Sequence, residues 1–115
     1  MEHIVHVDNS EFFRKQMKVF LTELGYEYTG FSRGEDALKA ASAGNADCVI
    51  TGLTLADMEG EALIRRLNVS ADTVSVIVVT ASHEDAQIRR LNSLNVLKVI
   101  SKSGDWKTEL SSLLA

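Results

Sequence analysis

The chain has 115 residues, which suits one domain spanning positions 1–115, with a core that buries about two-thirds of the unfolded surface. Its net charge of −4 and pI near 5.3 argue against non-specific nucleic-acid binding, and no apolar run approaches the roughly 18 residues of a membrane span. With 45% apolar and 24% charged residues and a single cysteine, Cys48, the composition is that of a soluble globular protein in a reducing compartment, so a cytoplasmic location is expected. Met1 leads straight into a strand-like pattern, with no secretory signal in view.

His3 to Val7 is rich in β-formers and ends at Asp8-Asn9. Ser10 then supplies an N-cap for a helix whose apolar stripe is Phe13, Met17, Phe20, Leu21 and Leu24, stopped by Gly25. Tyr26 to Phe31 reads as a second strand. Ser32-Arg33-Gly34-Glu35 has the spacing of a capping box and opens a helix that ends near Gly44. Asp47 to Thr51 is a short apolar strand, followed by a loop from Gly52 to Gly60. A third helix runs to about Asn68 and buries Leu63, Ile64 and Leu67.

Val74 to Thr80 is the strongest strand, and its unbroken apolar run predicts burial on both faces of a parallel sheet. Glu84 to Ser93 is helical, with Ile88 and Leu91 on one side. Val96 to Ile100 is a fifth strand. Ser103 is placed to cap a last helix with Trp106, Leu110, Leu113 and Leu114 as its stripe.

Five strands alternating with five helices imply right-handed βαβ units and a parallel sheet covered on both faces. Functional residues in such sheets gather at the carboxyl ends of the strands. That rule selects Asp8 and Asn9 after the first strand, Gly52 after the third, Thr80 after the fourth and Lys102 after the fifth.

These positions carry a family resemblance over nearly the whole chain. His3-Ile4-Val5-His6-Val7-Asp8-Asn9-Ser10, Asp47-Cys48-Val49-Ile50-Thr51-Gly52, the loop Leu53 to Gly60, Val76 to Ala81 and Val99-Ile100-Ser101-Lys102 follow one another at the spacing of a response-regulator receiver domain. The chain resembles that family of two-component signalling, with phosphorelay as the family's activity. The resemblance implies a flavodoxin-like doubly wound (βα)5 fold with strand order 2-1-3-4-5.

It also implies a phosphoacceptor pocket in which several positions depart from the family pattern. Asp8 matches the first acidic position, whereas Asn9 replaces the second. Gly52 falls where the phospho-accepting aspartate belongs, and Thr80 and Lys102 match the switch hydroxyl and the lysine. Ala56 stands where proline is usual, Ser103 replaces the proline after the lysine, and Val99 occupies the aromatic switch position. A cis bond before a non-proline residue costs about 3 kcal/mol, so a trans Lys102–Ser103 bond is expected.

Receivers place the phosphoryl group on a carboxylate, with Mg²⁺ offsetting its charge. Glycine has no side chain to phosphorylate. Thr51 should point away, because strand side chains alternate, and Thr54 lacks an adjacent base. Weak or lost Mg²⁺ binding, no cofactor, no metal site and no enzymatic activity are therefore expected. The reading is a phosphorylation-independent pseudo-receiver that acts by protein contacts through its fourth-helix, fifth-strand and fifth-helix face. A histidine kinase or an output domain would be the partner, neither nucleic acid nor membrane is one, and a homodimer is left open.

Two alternatives remain. One is an ordinary phosphorylatable receiver with a mutated acceptor; the other is a flavodoxin-like small-ligand binder, whose Gly/Ser/Thr-rich phosphate loop is absent from Asp8-Asn9-Ser10-Glu11-Phe12. The emptied pocket could also serve as an anion site through Lys102, Thr80 and backbone amides.

Other polar positions have plainer roles. His6 on the first strand reads as a neutral, hydrogen-bonded core histidine. Asp8 with Lys102 reads as a structural ion pair. His83 with Asp8 supplies too few ligands for a metal. Cys48 reads as core, and Arg65-Arg66 and Arg89-Arg90 as solvated helix faces, the second pair within the partner face.

Overall fold

The computed structural model describes residues 2–81 and 84–115. Its elements in chain order are β1 (His3–Val7), α1 (Glu11–Glu23), β2 (Glu27–Phe31), α2 (Gly34–Ser42), β3 (Cys48–Thr51), α3 (Gly60–Ser70), β4 (Ser75–Thr80), α4 (Asp85–Asn92), β5 (Lys98–Ser101) and α5 (Trp106–Leu114). All strand pairs are parallel, in the order β2-β1-β3-β4-β5. This is the predicted α/β flavodoxin-like arrangement. The change in strand order between β1 and β3 opens a crevice at their carboxyl ends, where Val7 pairs with Thr51.

Strand alternation divides the core. Val5, Val7, Val49, Val76 and Val78 face α2, α3 and α4, packing on Leu38, Leu63, Ile64, Leu67 and Leu91. Ile4, Ile50, Ile77, Val79 and Ile100 face α1 and α5, packing on Phe13, Met17, Leu21, Trp106 and Leu110. Trp106 sits edge-on to Phe13 and Phe20, with ring centroids 5.0 and 5.3 Å away. Each fully buried aliphatic or aromatic side chain stabilises the fold by about 2 kcal/mol. Cys48 is buried on the second side, as expected, and burial pushes its thiol up to about 12, with Glu2 and Asp47 acting in the same sense.

Two helix starts differ from the sequence expectation. The N-cap of α2 is Arg33, whose side chain makes no capping bond, so the Ser32–Glu35 capping box does not form. Instead the Asp57 carboxylate, from the loop after β3, accepts from the amides of Gly34 (2.6 Å) and Glu35 (3.1 Å). A distant carboxylate thus satisfies two orphan donors and meets the positive end of the helix. The N-cap of α5 is Asp105 rather than Ser103; its carboxylate accepts from Thr108 N at 3.3 Å. Ser103 is held back at the strand end, where its hydroxyl and amide both meet Ser101 Oγ. Ser10 caps α1 as expected, accepting from Phe13 N at 3.1 Å.

Gly60 opens α3 where the chain passes close to the end of β3. A Cβ there would overlap the carbonyl oxygen of Gly52. Only glycine permits this approach, which the Gly60 N to Leu53 O bond of 2.8 Å completes. No helix among the described residues is long and apolar enough to cross a membrane.

Candidate functional site

The crevice at the carboxyl end of the sheet is a cleft of about 380 Å³, lined mainly by Asp8, Asn9, Gly52, Thr54, Thr80 and Lys102, with Gln87 reaching in from α4. The five pocket positions selected from the sequence therefore meet in one place. Register brings Asp8 and Gly52 side by side: Gly52 N donates to Val7 O (2.9 Å) and Asp8 N donates to Phe31 O (3.0 Å). Thr80 pairs with Ser101, and Lys102 N donates to Thr80 O at 2.8 Å, which carries the lysine over the cleft.

Asp8 is buried, at 4% exposure, and ties several parts of the site together. Its Oδ1 accepts from Ser10 N (2.8 Å), its carbonyl accepts from the Arg14 guanidinium (2.6 Å), and its Oδ2 lies 2.9 Å from Lys102 Nζ. Apart from that ion pair, Oδ2 has no hydrogen-bond partner among the described residues. The Lys102 ammonium also rests 4.2 Å from the centre of the Phe13 ring, a cation–π contact. The anticipated Asp8–Lys102 pair is thus present, and the ammonium is held between a carboxylate and an aromatic face.

Gly52 leaves open the space where a side chain would sit. A Cβ built on it would point at Asp8 Oδ2, 3.1 Å away. Thr51 is fully buried, and its hydroxyl donates to Gly52 O (2.8 Å); it does not line the cleft. Asn9 is exposed at the rim. Thr80 is buried within the wall. Val99 packs half-buried against the α2–α4 side of the core, away from the cleft. The described residues contain no cis peptide bond, so the Lys102–Ser103 bond is trans. Asp57 is committed to capping α2 and stays outside the cleft. His83 lies outside the described residues.

Beneath the cleft lies His6, wholly buried on β1 and on the same face as Asp8. Its Nδ1 meets the Tyr28 hydroxyl at 2.8 Å, and Tyr28 Oη donates to Arg14 O at 3.0 Å. The Tyr28 hydroxyl proton being committed to Arg14 O, the ring proton sits on Nδ1, and Nε2 is left without a partner among the described residues. Burial lowers the His6 pKa to about 4; Lys102 and Arg14 act in the same direction, while Asp8 opposes them. His6 is therefore neutral at pH 7. The core histidine expected from the sequence is thus present, with a tyrosine partner that the sequence does not reveal. Gly30 is what allows it, because a Cβ there would run into the Tyr28 ring.

On the surface, Glu61 of α3 joins Arg65 (3.4 Å) and Arg90 of α4 (3.0 Å), and Arg66 pairs with Glu35 of α2. Three of the arginines read as solvated thus link neighbouring helices or turns. Arg89 is exposed.

The sequence matches the family model described as response regulator receiver domain over residues 4–113. No curated protein matches it. Among solved structures it is similar to the signal receiver domain of an HD-domain-containing protein from Pseudomonas fluorescens Pf-5, at 24% identity and a TM-score of 0.89, covering 98% of this chain and 90% of that one. It is similar to the receiver domain of the sensor histidine kinase PA1611 from Pseudomonas aeruginosa PAO1, which holds a magnesium ion in its active-site cleft, at 19% identity, a TM-score of 0.86 and coverage of 98% and 93%. It is also similar to the response regulator TrrA from Thermotoga maritima, in complex with Mg²⁺ and BeF, at 25% identity, a TM-score of 0.85 and coverage of 99% and 97%. With strand order, cleft and family model in agreement over nearly its whole length, the chain belongs to the response regulator receiver domain family.

Proposed function

We propose that this receiver domain signals without phosphorylation, as a protein-interaction module. The observation that carries the reading is Gly52 at the end of β3. The position aimed at Asp8 Oδ2 has no side chain to accept a phosphoryl group. The adjacent Thr51 hydroxyl does not replace it: Thr51 is buried away from the cleft and bonds Gly52 O. The donor set also does not fit a divalent cation. Among the described residues Asp8 is the single carboxylate lining the cleft, and its outer oxygen already faces the Lys102 ammonium. The PA1611 receiver has magnesium in its cleft; here the pocket's charge is already balanced internally. The same pairing speaks against a free-anion site, because Lys102 spends its charge on Asp8.

Without a phosphoryl group to sense, Thr80 and Val99 have no switch to transmit, and the α4–β5–α5 face would be read in one fixed arrangement. A histidine kinase or an output domain is the class of partner this face fits within two-component signalling. The test is incubation with acetyl phosphate and Mg²⁺ followed by intact-mass measurement, with a phosphorylatable receiver as positive control. An unchanged mass is expected; a stoichiometric gain of one phosphoryl group would refute the proposal.

A further inference from the structure

α1 is apolar on two sides. Phe13, Met17 and Leu21 face the core. On the outer side, Phe12 is 72% and Val19 is 58% exposed. Scattered exposed apolar residues need no explanation, but these two share one stripe. Phe12, Gln16, Val19 and Glu23 follow one another at i, i+4, i+7 and i+11, the spacing of a helix–helix seam. Together with Lys15, Phe20 and Lys107 of α5 they line a shallow hollow of about 370 Å³. This hollow borders α5 through Lys107, and none of its lining residues lines the cleft.

We propose that the outer face of α1 is a self-association surface, on which a second copy of this chain docks its own α1 in antiparallel orientation about a twofold axis through Val19. A twofold interface must be complementary to itself, so that residue i meets j and j meets i. With Val19 on the axis, the residue four before it meets the residue four after it. Lys15 of each copy then faces Glu23 of the other, giving two opposite-charge contacts around a Val19–Val19 centre. Phe12 of each copy reaches toward the partner's helix end. A parallel arrangement would instead set Lys15 against Lys15 and Glu23 against Glu23, which is repulsive.

Within one chain neither charge is strongly committed. Lys15 has Glu11 at 3.4 Å with both side chains well exposed, and Glu23 has no ion pair among the described residues. Signs and spacing therefore favour a copy of the same helix over a uniformly acidic or basic partner. The proposal stands independently of the phosphorylation reading, since no residue of the cleft takes part.

Sedimentation equilibrium of the 115-residue chain from about 1 to about 500 μM tests it, over the affinity range of weak interfaces. A reversible monomer–dimer equilibrium is expected. Lys15→Glu and Glu23→Lys should each weaken it about tenfold or more, because each sets like charges together twice. The double variant K15E/E23K should return to within about threefold of the original, since the pairs are restored with reversed sign. Val19→Glu should abolish dimers. Thermal midpoints of all variants should stay unchanged at concentrations where the chain is monomeric, as these side chains are exposed. A monomer throughout the range would overturn the proposal. So would a dimer indifferent to the single charge changes, or one the double change fails to restore.

Discussion

Lys102 Nζ lies 2.9 Å from Asp8 Oδ2, which has no other polar partner among the described residues. The pair therefore has a stabilising role that does not depend on phosphate. Lys102→Met removes the cation and strands a carboxylate that is 95% buried. The expected cost is about 2–3 kcal/mol, toward the lower end for buried pairs because Lys102 retains some contact with solvent. Asp8→Asn in the same chain removes the stranded charge, so the double variant should recover more than half of that loss. Urea unfolding of the two singles and the double closes the cycle; strictly additive effects would mean the pair contributes nothing.

Gly52 gives a second test. Gly52→Ala places a methyl group 3.1 Å from Asp8 Oδ2, which has to give by a few tenths of an ångström. The reduced unfolded-state entropy of alanine offsets this, so the net change should stay below about 1 kcal/mol. Gly52→Asp instead adds a second negative charge beside Asp8. It should destabilise at neutral pH by about 1–2 kcal/mol, and millimolar Mg²⁺ should raise its thermal midpoint while leaving the unsubstituted chain unaffected. If Gly52→Asp behaves like Gly52→Ala and ignores Mg²⁺, the geometry assigned to position 52 is wrong.

His6 predicts a pH dependence with a definite sign. Its folded pKa, about 4, lies below the ordinary value of 6.5. Between these values the unfolded chain binds the proton and the native chain does not. Stability is therefore unaffected by this group above about pH 6.5 and falls as the pH drops toward about 4, by at most roughly 3 kcal/mol in all. His6→Gln should flatten this part of the profile. An equal slope in the variant would mean that His6 is not the group responsible.

Asp57 caps α2 from 23 residues away. Partial burial acts to raise its pKa, but the amides of Glu35 and Gly34 and the Arg33 guanidinium outweigh it and hold the carboxyl below the ordinary range. The stability it contributes is present above the unfolded carboxylate range and is lost as pH falls through the lower folded value. Asp57→Ala should lower the thermal midpoint and speed amide exchange at Gly34 and Glu35, whereas Asp57→Asn should retain part of the cap through its carbonyl oxygen. Unchanged exchange at those two amides would rule out the cap.

The order of elements was legible in the sequence because each one carries its own periodicity. The run Val76 to Val79 between turn-forming segments specifies a buried strand, and Phe13, Met17 and Leu21 specify a helix face. The pocket was legible because it sits at strand ends, which topology alone gathers together. The caps of α2 and α5 were not. Ser32 and Ser103 have the right chemistry at the right local spacing, but Asp57 and Asp105 bring carboxylates to the same helix ends, and only tertiary structure decides between them. The His6–Tyr28 bond was equally hidden, because it depends on the register that sets His6 beside Gly30.

That bond also bears on the edge of the sheet. Edge strands are prone to slip or fray, since hydrogen bonds hold them on one side only. Here Tyr28 Oη fastens β2 both to β1, at His6, and to α1, at Arg14. Sliding β2 by one residue would carry Tyr28 to the opposite face and break both attachments at once. The margin strand is thereby indexed to its neighbour by side-chain bonds as well as by its backbone ladder, so its pairing with β1 has a single permitted alignment.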